Sequence, residues 1–182
     1  PDNMSFWHSV WKIMHGGNPY GDYTEAEFRA AVGTVDLDFE PGSDFQYSNY
    51  AVGLLGFVLS QKAGMDYESY IKREVCGPLG MNDTTATLTS EQKARFVQGY
   101  ADVSHLGKWM QYERCDPWDL PNCLAGCGAL RSSASDMLIY LKANMHPSGE
   151  LAGAIKLAHK ELYRGKDGPA VCMNWIRSWN KK

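Results

Sequence analysis

The sequence lacks the features that mark a membrane or nucleic-acid-binding protein. No apolar run reaches the roughly 18 residues that a spanning helix needs. The first residues, PDNMSFWHSV, have no basic segment leading into an apolar core, as a signal peptide would. Runs of like charge are also absent, and 18 basic against 21 acidic residues leave a formal net charge of −3. We therefore expect neither a membrane span nor a nucleic-acid partner.

The chain also lacks a cysteine pattern typical of a metal site. Its five cysteines are Cys76, Cys115, Cys123, Cys127 and Cys172. Because the number is odd, at least one thiol stays unpaired within the chain, while the three cysteines between 115 and 127 could include a disulfide. A zinc site with His105 is the less favoured alternative, since no C-x-x-C pair is present. We expect no metal and no cofactor, and the cysteines leave the cellular compartment unknown.

What the chain does have is enough apolar material for a packed core. Of its 182 residues, 44% are hydrophobic and 12% aromatic, which suits a single domain over residues 1–182. The apolar spacing and the capping residues predict a mainly α fold. The predicted helices lie near residues 6–14, 25–32, 49–60 and 67–75, from residue 133 onward, and over 149–163. Gly77-Pro78 is expected to end the fourth helix, and Met137, Leu138 and Leu141 to form the apolar face of the fifth.

Residues 39–60 are predicted to form the central element around which the rest of the chain folds. A turn over residues 41–44 and a short aromatic step lead into a helix that is apolar on nearly every side, and such a helix is usually buried. We expect Leu55 to lie in the core, with Tyr47, Ser48 and Asn49 as a polar cluster at its edge. The alternative is structural: Ser48 or Asn49 only caps the helix, and Tyr47 is a core aromatic residue.

Less regular elements are predicted after this helix. Residues 96–100 and 109–112 suit the two strands of a small β-hairpin. Residues 113–128, with two prolines and two glycines, are expected to form a loop that borders an active-site mouth. Residues 171–175 alternate loosely and favour one further strand.

Three motifs in order give the chain a family resemblance. They are Tyr47-Ser48-Asn49 entered from PGSDFQ, the segment PLGMNDTT at residues 78–85, and GCGALRSSASDM at residues 126–137. Together they resemble the serine β-lactamase and penicillin-binding-protein-like superfamily, nearest to class C β-lactamases and their esterase and D-alanyl peptidase relatives. The resemblance covers residues 18–145. It implies the helical subdomain of the β-lactamase/transpeptidase-like α+β fold.

The resemblance also implies roles for single residues. In that family the tyrosine belongs to the base apparatus and the asparagine hydrogen-bonds the substrate amide, so these roles fall on Tyr47 and Asn49. Ser48, Gly126 and Gly128 are expected to contact substrate. The substrate would be a small molecule or peptide, namely a β-lactam, an ester or a D-alanyl peptide. Family members are often exported to the bacterial periplasm or cell surface.

The nucleophile that such an enzyme needs has no convincing candidate. S-x-x-K occurs at Ser9, Ser69 and Ser90, but only Ser9 precedes Tyr47, and it does so by too few residues for the family. No K-T-G follows, and His15-Gly16-Gly17 imitates the late H-x-G strand in the wrong order. We therefore expect a fragment, inactive alone, whose site needs complementing chain segments. The alternatives are a non-catalytic helical binding module and a small hydrolase that uses Ser9.

Overall fold

The structure is a computed structural model that describes Lys12 and residues 17–102, 112–165 and 170–177. The predicted helix near residues 6–14, Ser9, His15-Gly16 and His105 lie outside these residues.

The described residues fold mainly as short helices. These are α1 (Glu25–Val32), α2 (Asn49–Lys62), α3 (Tyr67–Ile71), α4 (Gly77–Leu79), α5 (Ser90–Ala94), α6 (Ala134–Met145) and α7 (Ala152–Ala158). A π-helical turn, Lys72–Cys76, joins α3 to α4, and Asn122–Cys127 form a 3₁₀-helix. Within the described part of the chain, no helix is both long and apolar enough to cross a bilayer.

The described residues also form two small antiparallel sheets. Strand β1 (Gly99–Asp102) pairs with β2 (Tyr112–Cys115), with Gly99 opposite Cys115. Strands β3 (Tyr163–Arg164), β4 (Ala170–Val171) and β5 (Ile176–Arg177) form the second sheet in that order. The prediction of a mainly α fold with a small hairpin is confirmed.

The chain divides into two compact units. The first comprises Pro1–Val35, Asn49–Glu68 and Thr85–Arg131, and the second comprises Asp36–Ser48, Ser69–Thr84 and Ser132–Lys182. Each unit is described by itself below. The single domain predicted from the sequence stays a prediction.

Capping residues determine where two of the helices begin. Thr24 Oγ1 accepts a hydrogen bond from the Glu27 amide at 3.2 Å, and the Glu27 carboxylate accepts one from the Thr24 amide at 2.8 Å. The hydrogen bond from the Thr24 amide and, second, one that Thr24 Oγ1 donates to the same carboxylate at 2.7 Å lower the pKa of Glu27. Ser133 Oγ accepts from the Asp136 amide at 3.2 Å and starts α6 in the same way. The predicted starts of α1 and α6 are confirmed, because such caps satisfy amides that have no partner within the helix.

Helix α2 packs in the first unit through one side only. Gly53, Gly56, Phe57 and Ser60 are buried, whereas Leu55 is 51% exposed. The prediction that Leu55 lies in the core is therefore wrong. The reason is that α2 turns its small residues toward the 3₁₀-helix and leaves several large aliphatic side chains outside.

The core of the first unit forms around this small-residue side. Its buried members are Tyr23, Phe28, Phe57, Cys123 and Leu124. The Phe28 ring is fully buried, and its centroid lies 5.4 Å from that of Phe57 in an edge-to-face contact. Such an aromatic pair stabilises the fold by more than the burial of its apolar surface alone.

Two glycines let α2 and the 3₁₀-helix meet backbone to backbone. A Cβ at Gly56 would lie 2.9 Å from the Gly126 Cα, and a Cβ at Gly126 would lie 2.8 Å from the Val52 carbonyl oxygen. No real Cβ tolerates such distances. The sequence pairs G-x-x-G in α2 with a glycine in the following motif because only glycine fits this crossing.

In the second unit a buried carboxylate fastens α6. Asp136 Oδ2 accepts hydrogen bonds from the Asp83 amide at 2.8 Å and from Thr84 Oγ1 at 2.7 Å. Thr84 Oγ1 also lies 2.8 Å from Ser132 Oγ. These bonds tie the PLGMNDTT segment to the start of α6, so two of the three motifs meet here.

Helix α6 does not bury the apolar face predicted for it. Leu138 is 66% exposed, and Met137 and Leu141 are each about half exposed. The prediction fails because a buried polar residue, Asp136, anchors the helix, and the apolar stripe lies on another side.

Two predicted helix ends also need correction. The fourth predicted helix does not stop at Gly77-Pro78 but continues through α4 to Leu79, where Gly80 adopts a left-handed φ of 74°. The π turn lets the Gly77 amide donate to the Lys72 carbonyl, and Pro78 then occupies a first helical turn, where no N–H is needed. Helix α7 ends at Ala158, since Tyr163 belongs to β3.

The remaining irregular elements lie close to their predicted positions. The hairpin is present, but its first strand begins at Gly99, and residues 109–111 lie outside the described residues. The predicted loop over 113–128 instead contains the end of β2 and the 3₁₀-helix. The predicted strand over 171–175 is reduced to β4, because the chain turns at Asn174 with a φ of 55° before β5.

Candidate active site

Two of the predicted site residues line one cavity of the first unit. Asn49 is the first residue of α2, and Gly128 follows the 3₁₀-helix. The cavity measures about 490 Å³. Its other lining residues are Tyr20, Cys115, Asp116, Pro117, Trp118, Leu120, Cys127 and Arg131. A cleft of this volume, with aromatic walls and a few polar groups, has room for a small molecule.

The other predicted site residues lie elsewhere. Gly126 packs against Val52 and Gly56 of α2 and is not among the residues that line the cavity. Tyr47 and Ser48 belong to the second unit. Ser48 is half-buried, but Tyr47 is 74% exposed rather than packed at the edge of a core, because residues 45–48 form no helix or strand that would fix it against one. Their predicted roles stay predictions.

Asn49 is held through an aromatic residue that sequence analysis did not single out. Its Nδ2 donates a long hydrogen bond, 3.4 Å, to the Tyr20 hydroxyl. The Tyr20 ring makes an edge-to-face contact with Trp118, with centroids 6.0 Å apart. Asn18 fixes this wall, since its Oδ1 accepts from the Tyr20 amide at 3.0 Å and its Nδ2 donates to the Asp119 carbonyl at 2.6 Å.

Arg131 also lines the cavity and holds the same wall in place. Its side chain is only 11% exposed and forms an ion pair of 2.6 Å with Asp119. The guanidinium also donates to the carbonyl oxygens of Trp118 at 3.1 Å, of Ala129 at 3.3 Å and of Ala86. A nearly buried cation is stable when paired and hydrogen-bonded in this way. Its position within the motif GCGALRSSASDM is the one feature of the sequence that points to a role of Arg131 in fixing the wall.

Thiols form part of the cavity wall. Cys115 and Cys127 both line it, whereas Cys123 is buried in the core of the same unit. All five cysteines are free, so the disulfide considered between residues 115 and 127 is not formed. Burial raises the pKa of the Cys127 and Cys123 thiols and keeps them protonated. No group of three or more metal-binding side chains occurs within the residues described.

A second cavity adjoins the first. It measures about 600 Å³ and shares Asp116, Pro117, Leu120 and Arg131 with the Asn49 cavity. Its distinct wall contains Lys93 from α5 together with Phe96 and Gln98. Residues 116–120 therefore border both spaces.

The described S-x-x-K serines are not placed as nucleophiles. Ser69 lies exposed in α3, and Ser90 is the exposed first residue of the five-residue helix α5. Activation of a serine needs a base held on the same face of a buried helix, and neither position offers that. Ser178-Trp179-Asn180-Lys181 has the same spacing and escaped the sequence analysis. Like Ser9, it lies beyond the residues that the structure describes.

The chain resembles solved structures of one fold. The β-lactamase/D-alanine carboxypeptidase from Pseudomonas syringae superposes with a TM-score of 0.70 at 20% identity, over 84% of this chain and 41% of that one. A class C β-lactamase from Rhodobacter sphaeroides gives a TM-score of 0.68 at 22% identity, over 87% and 43%. These likenesses confirm the predicted fold.

Sequence comparison gives the family. A β-lactamase of Pseudomonas fluorescens is 30% identical over 140 residues, which are 75% of this chain and 36% of that protein. The chain thus spans well under half the length of the relatives it matches. The family model described as Beta-lactamase matches residues 9–173. The predicted superfamily is therefore confirmed, and the chain belongs to the β-lactamase family of serine hydrolases.

Proposed function

We propose that this chain supplies the tyrosine–asparagine part of the active site of a class C-like serine hydrolase. The reaction would be acylation of a serine by a β-lactam, an ester or a D-alanyl peptide, followed by hydrolysis of the acyl-enzyme. The observation that carries the proposal is that Asn49 and Gly128, from two separate motifs, line one cavity. Family membership supports the type of chemistry.

Asn49 has the chemistry to recognise a substrate amide. A carboxamide offers both an N–H donor and a C=O acceptor, which complement the two halves of a peptide or acylamino group. Its Nδ2 makes only a long bond to Tyr20, so a substrate carbonyl can replace that partner at little cost. Gly128 adds a part of the wall that has no side chain, and Ser48 and Gly126 remain proposed substrate contacts.

Tyr47 is proposed to take part in proton transfer to and from the serine. A phenol acts as a base only when neighbouring cations favour its ionised form. In the proposed enzyme, those cations and the serine come from complementing chain segments. Because Ser69 and Ser90 are poorly placed, the chain by itself should show negligible turnover.

Binding and turnover together test this function. Benzylpenicillin should bind saturably to the chain, as followed by amide NMR shifts, while a chromogenic cephalosporin should not be hydrolysed above background. Asn49→Ala should weaken binding about fivefold, the effect of one net hydrogen bond. Asn82→Ala, at an exposed turn outside both cavities, is the matched control and should bind normally.

Three outcomes would contradict the proposal in different ways. Equal binding by Asn49→Ala and the native chain would exclude Asn49 as a substrate contact. Saturable binding of other ligands without any effect of penicillin would favour the non-catalytic binding module. Turnover that disappears in Ser9→Ala, or a fluorophosphonate label on Ser9, would show that the chain is a complete small hydrolase.

A further inference from the structure

An aromatic pair and a free carboxylate border the Asn49 cavity. Tyr20 and Trp118 contribute two rings in edge-to-face contact. Asp116 lines the same cavity, and its carboxylate makes no hydrogen bond or ion pair with any residue that the structure describes. Aromatic faces attract cations through their quadrupole, most strongly at tryptophan. Both features favour positive charge in a ligand.

The cations nearby do not cancel this preference. Arg131 is the other charged residue of the cavity wall, but its guanidinium is paired with Asp119 at 2.6 Å and donates to three carbonyl oxygens as well. Both of its terminal nitrogens are therefore engaged, and within the described residues only its Nε–H has no partner. Lys93 lines only the adjoining cavity. The balance of charge next to Tyr20 and Trp118 is therefore negative.

We propose that the Asn49 cavity selects ligands carrying an ammonium group beside an aromatic or apolar group, and that Asp116 is the residue that sets this selectivity. The inference rests on the proposed function only in that the ligand would be the acyl side group of the substrate. An ammonium near the carboxylate gains Coulomb energy, a neutral group gains none, and a carboxylate is repelled. The aromatic walls hold the apolar part in all three cases.

Three small probes measure this selectivity without any reaction. Benzylammonium, benzyl alcohol and benzoate share one ring and differ in charge. Their affinities for the folded chain can be compared by NMR, using the indole N–H signal of Trp118 assigned from Trp118→Phe. We expect benzylammonium to bind about fivefold more tightly than benzyl alcohol, and benzoate to bind more weakly than both, as one partly exposed charge allows. High salt should remove most of the difference.

Charge variants assign the effect to Asp116. Asp116→Asn should abolish the preference for benzylammonium while leaving benzyl alcohol binding unchanged. Glu91→Gln removes an exposed carboxylate of α5 outside both cavities and should keep the full preference. Lys93→Gln should keep or increase it, since that residue opposes the proposed field. Circular dichroism confirms that each variant is folded.

The outcomes separate this inference from the proposed function. Equal affinity for the three probes, tightest binding of benzoate, or an undiminished preference in Asp116→Asn would overturn it. Failure of every probe to shift Trp118 at millimolar concentration would also overturn it, because the cavity would then not be a ligand site. A benzylammonium preference in a chain that ignores benzylpenicillin would support the inference and refute the proposed function.

Discussion

Helices α2 and α6 are both rich in apolar residues, yet each is held in its unit in a different way. Helix α2 packs closely against the 3₁₀-helix because Gly53 and Gly56 have no side chains to keep the two apart. Helix α6 is held by a polar residue, Asp136, and exposes Leu138 and its neighbours. The comparison teaches that apolar content marks a helix as part of the fold without showing which side is buried. Small residues and buried polar residues carry that information.

The anchor of α6 should give the largest effect. Asp136→Ala removes the acceptor for the Asp83 amide and Thr84 Oγ1 and leaves both donors without a charged partner. We expect a loss of about 3 kcal/mol in the free energy of unfolding, measured by urea titration. Asp38→Ala, at an exposed carboxylate, should change stability by less than about 0.5 kcal/mol. Equal effects of the two substitutions would mean that α6 is held by its apolar side chains after all.

Disturbing the contact between α2 and the 3₁₀-helix should cause the second-largest loss of stability. Gly56→Ala places a Cβ against the Gly126 Cα and the Tyr67 ring, and overpacking of this kind costs about 1–3 kcal/mol. Gly153→Ala is the matched control, because that helical glycine of α7 has open space around it. It should stabilise the chain by about 0.5–1 kcal/mol through higher helix propensity. The same sign for both substitutions in thermal unfolding would show that the crossing is loose.

The outer side of α2 should give the smallest effect. Leu55→Ala removes a side chain that is already half exposed, so we expect a loss of less than about 1 kcal/mol in the free energy of unfolding. A fully buried leucine would cost about 2–5 kcal/mol. A loss in that range would mean that this side is covered in solution, and sedimentation at several concentrations would show whether a second copy covers it.

Features encoded within a few residues were predictable from the sequence. The caps at Thr24 and Ser133 each depend on a residue three positions away, and α2 begins at Asn49 as predicted. One such signal was overlooked: Thr89 and Gln92 form a capping box that starts α5, while Ser90 was considered only as part of S-x-x-K. The π turn before Gly77 has no comparable local signature.

Features that join distant segments were not predictable. Asn18 and Asp119 lie 101 residues apart in sequence but share a hydrogen bond, and nothing local to either residue indicates it. Tyr20 and Trp118 likewise form a cavity wall only through folding. Asn49 and Gly128 could be predicted because they belong to motifs of the family. Tyr20 and Trp118 were missed because they lie outside those motifs.

The contact of Gly56 with Gly126 has a mechanical consequence. Where two helices meet through side chains, rotamer changes absorb small displacements, but here carbonyl, amide and Cα atoms touch directly. No rotamer change can absorb a displacement at such a contact, so we expect a shift of the 3₁₀-helix to be passed on to α2. Since Gly128 lies two residues beyond Gly126 and Asn49 begins α2, we expect a ligand that displaces one wall of the cavity to move the other as well. The two walls of the cavity should therefore move together rather than separately.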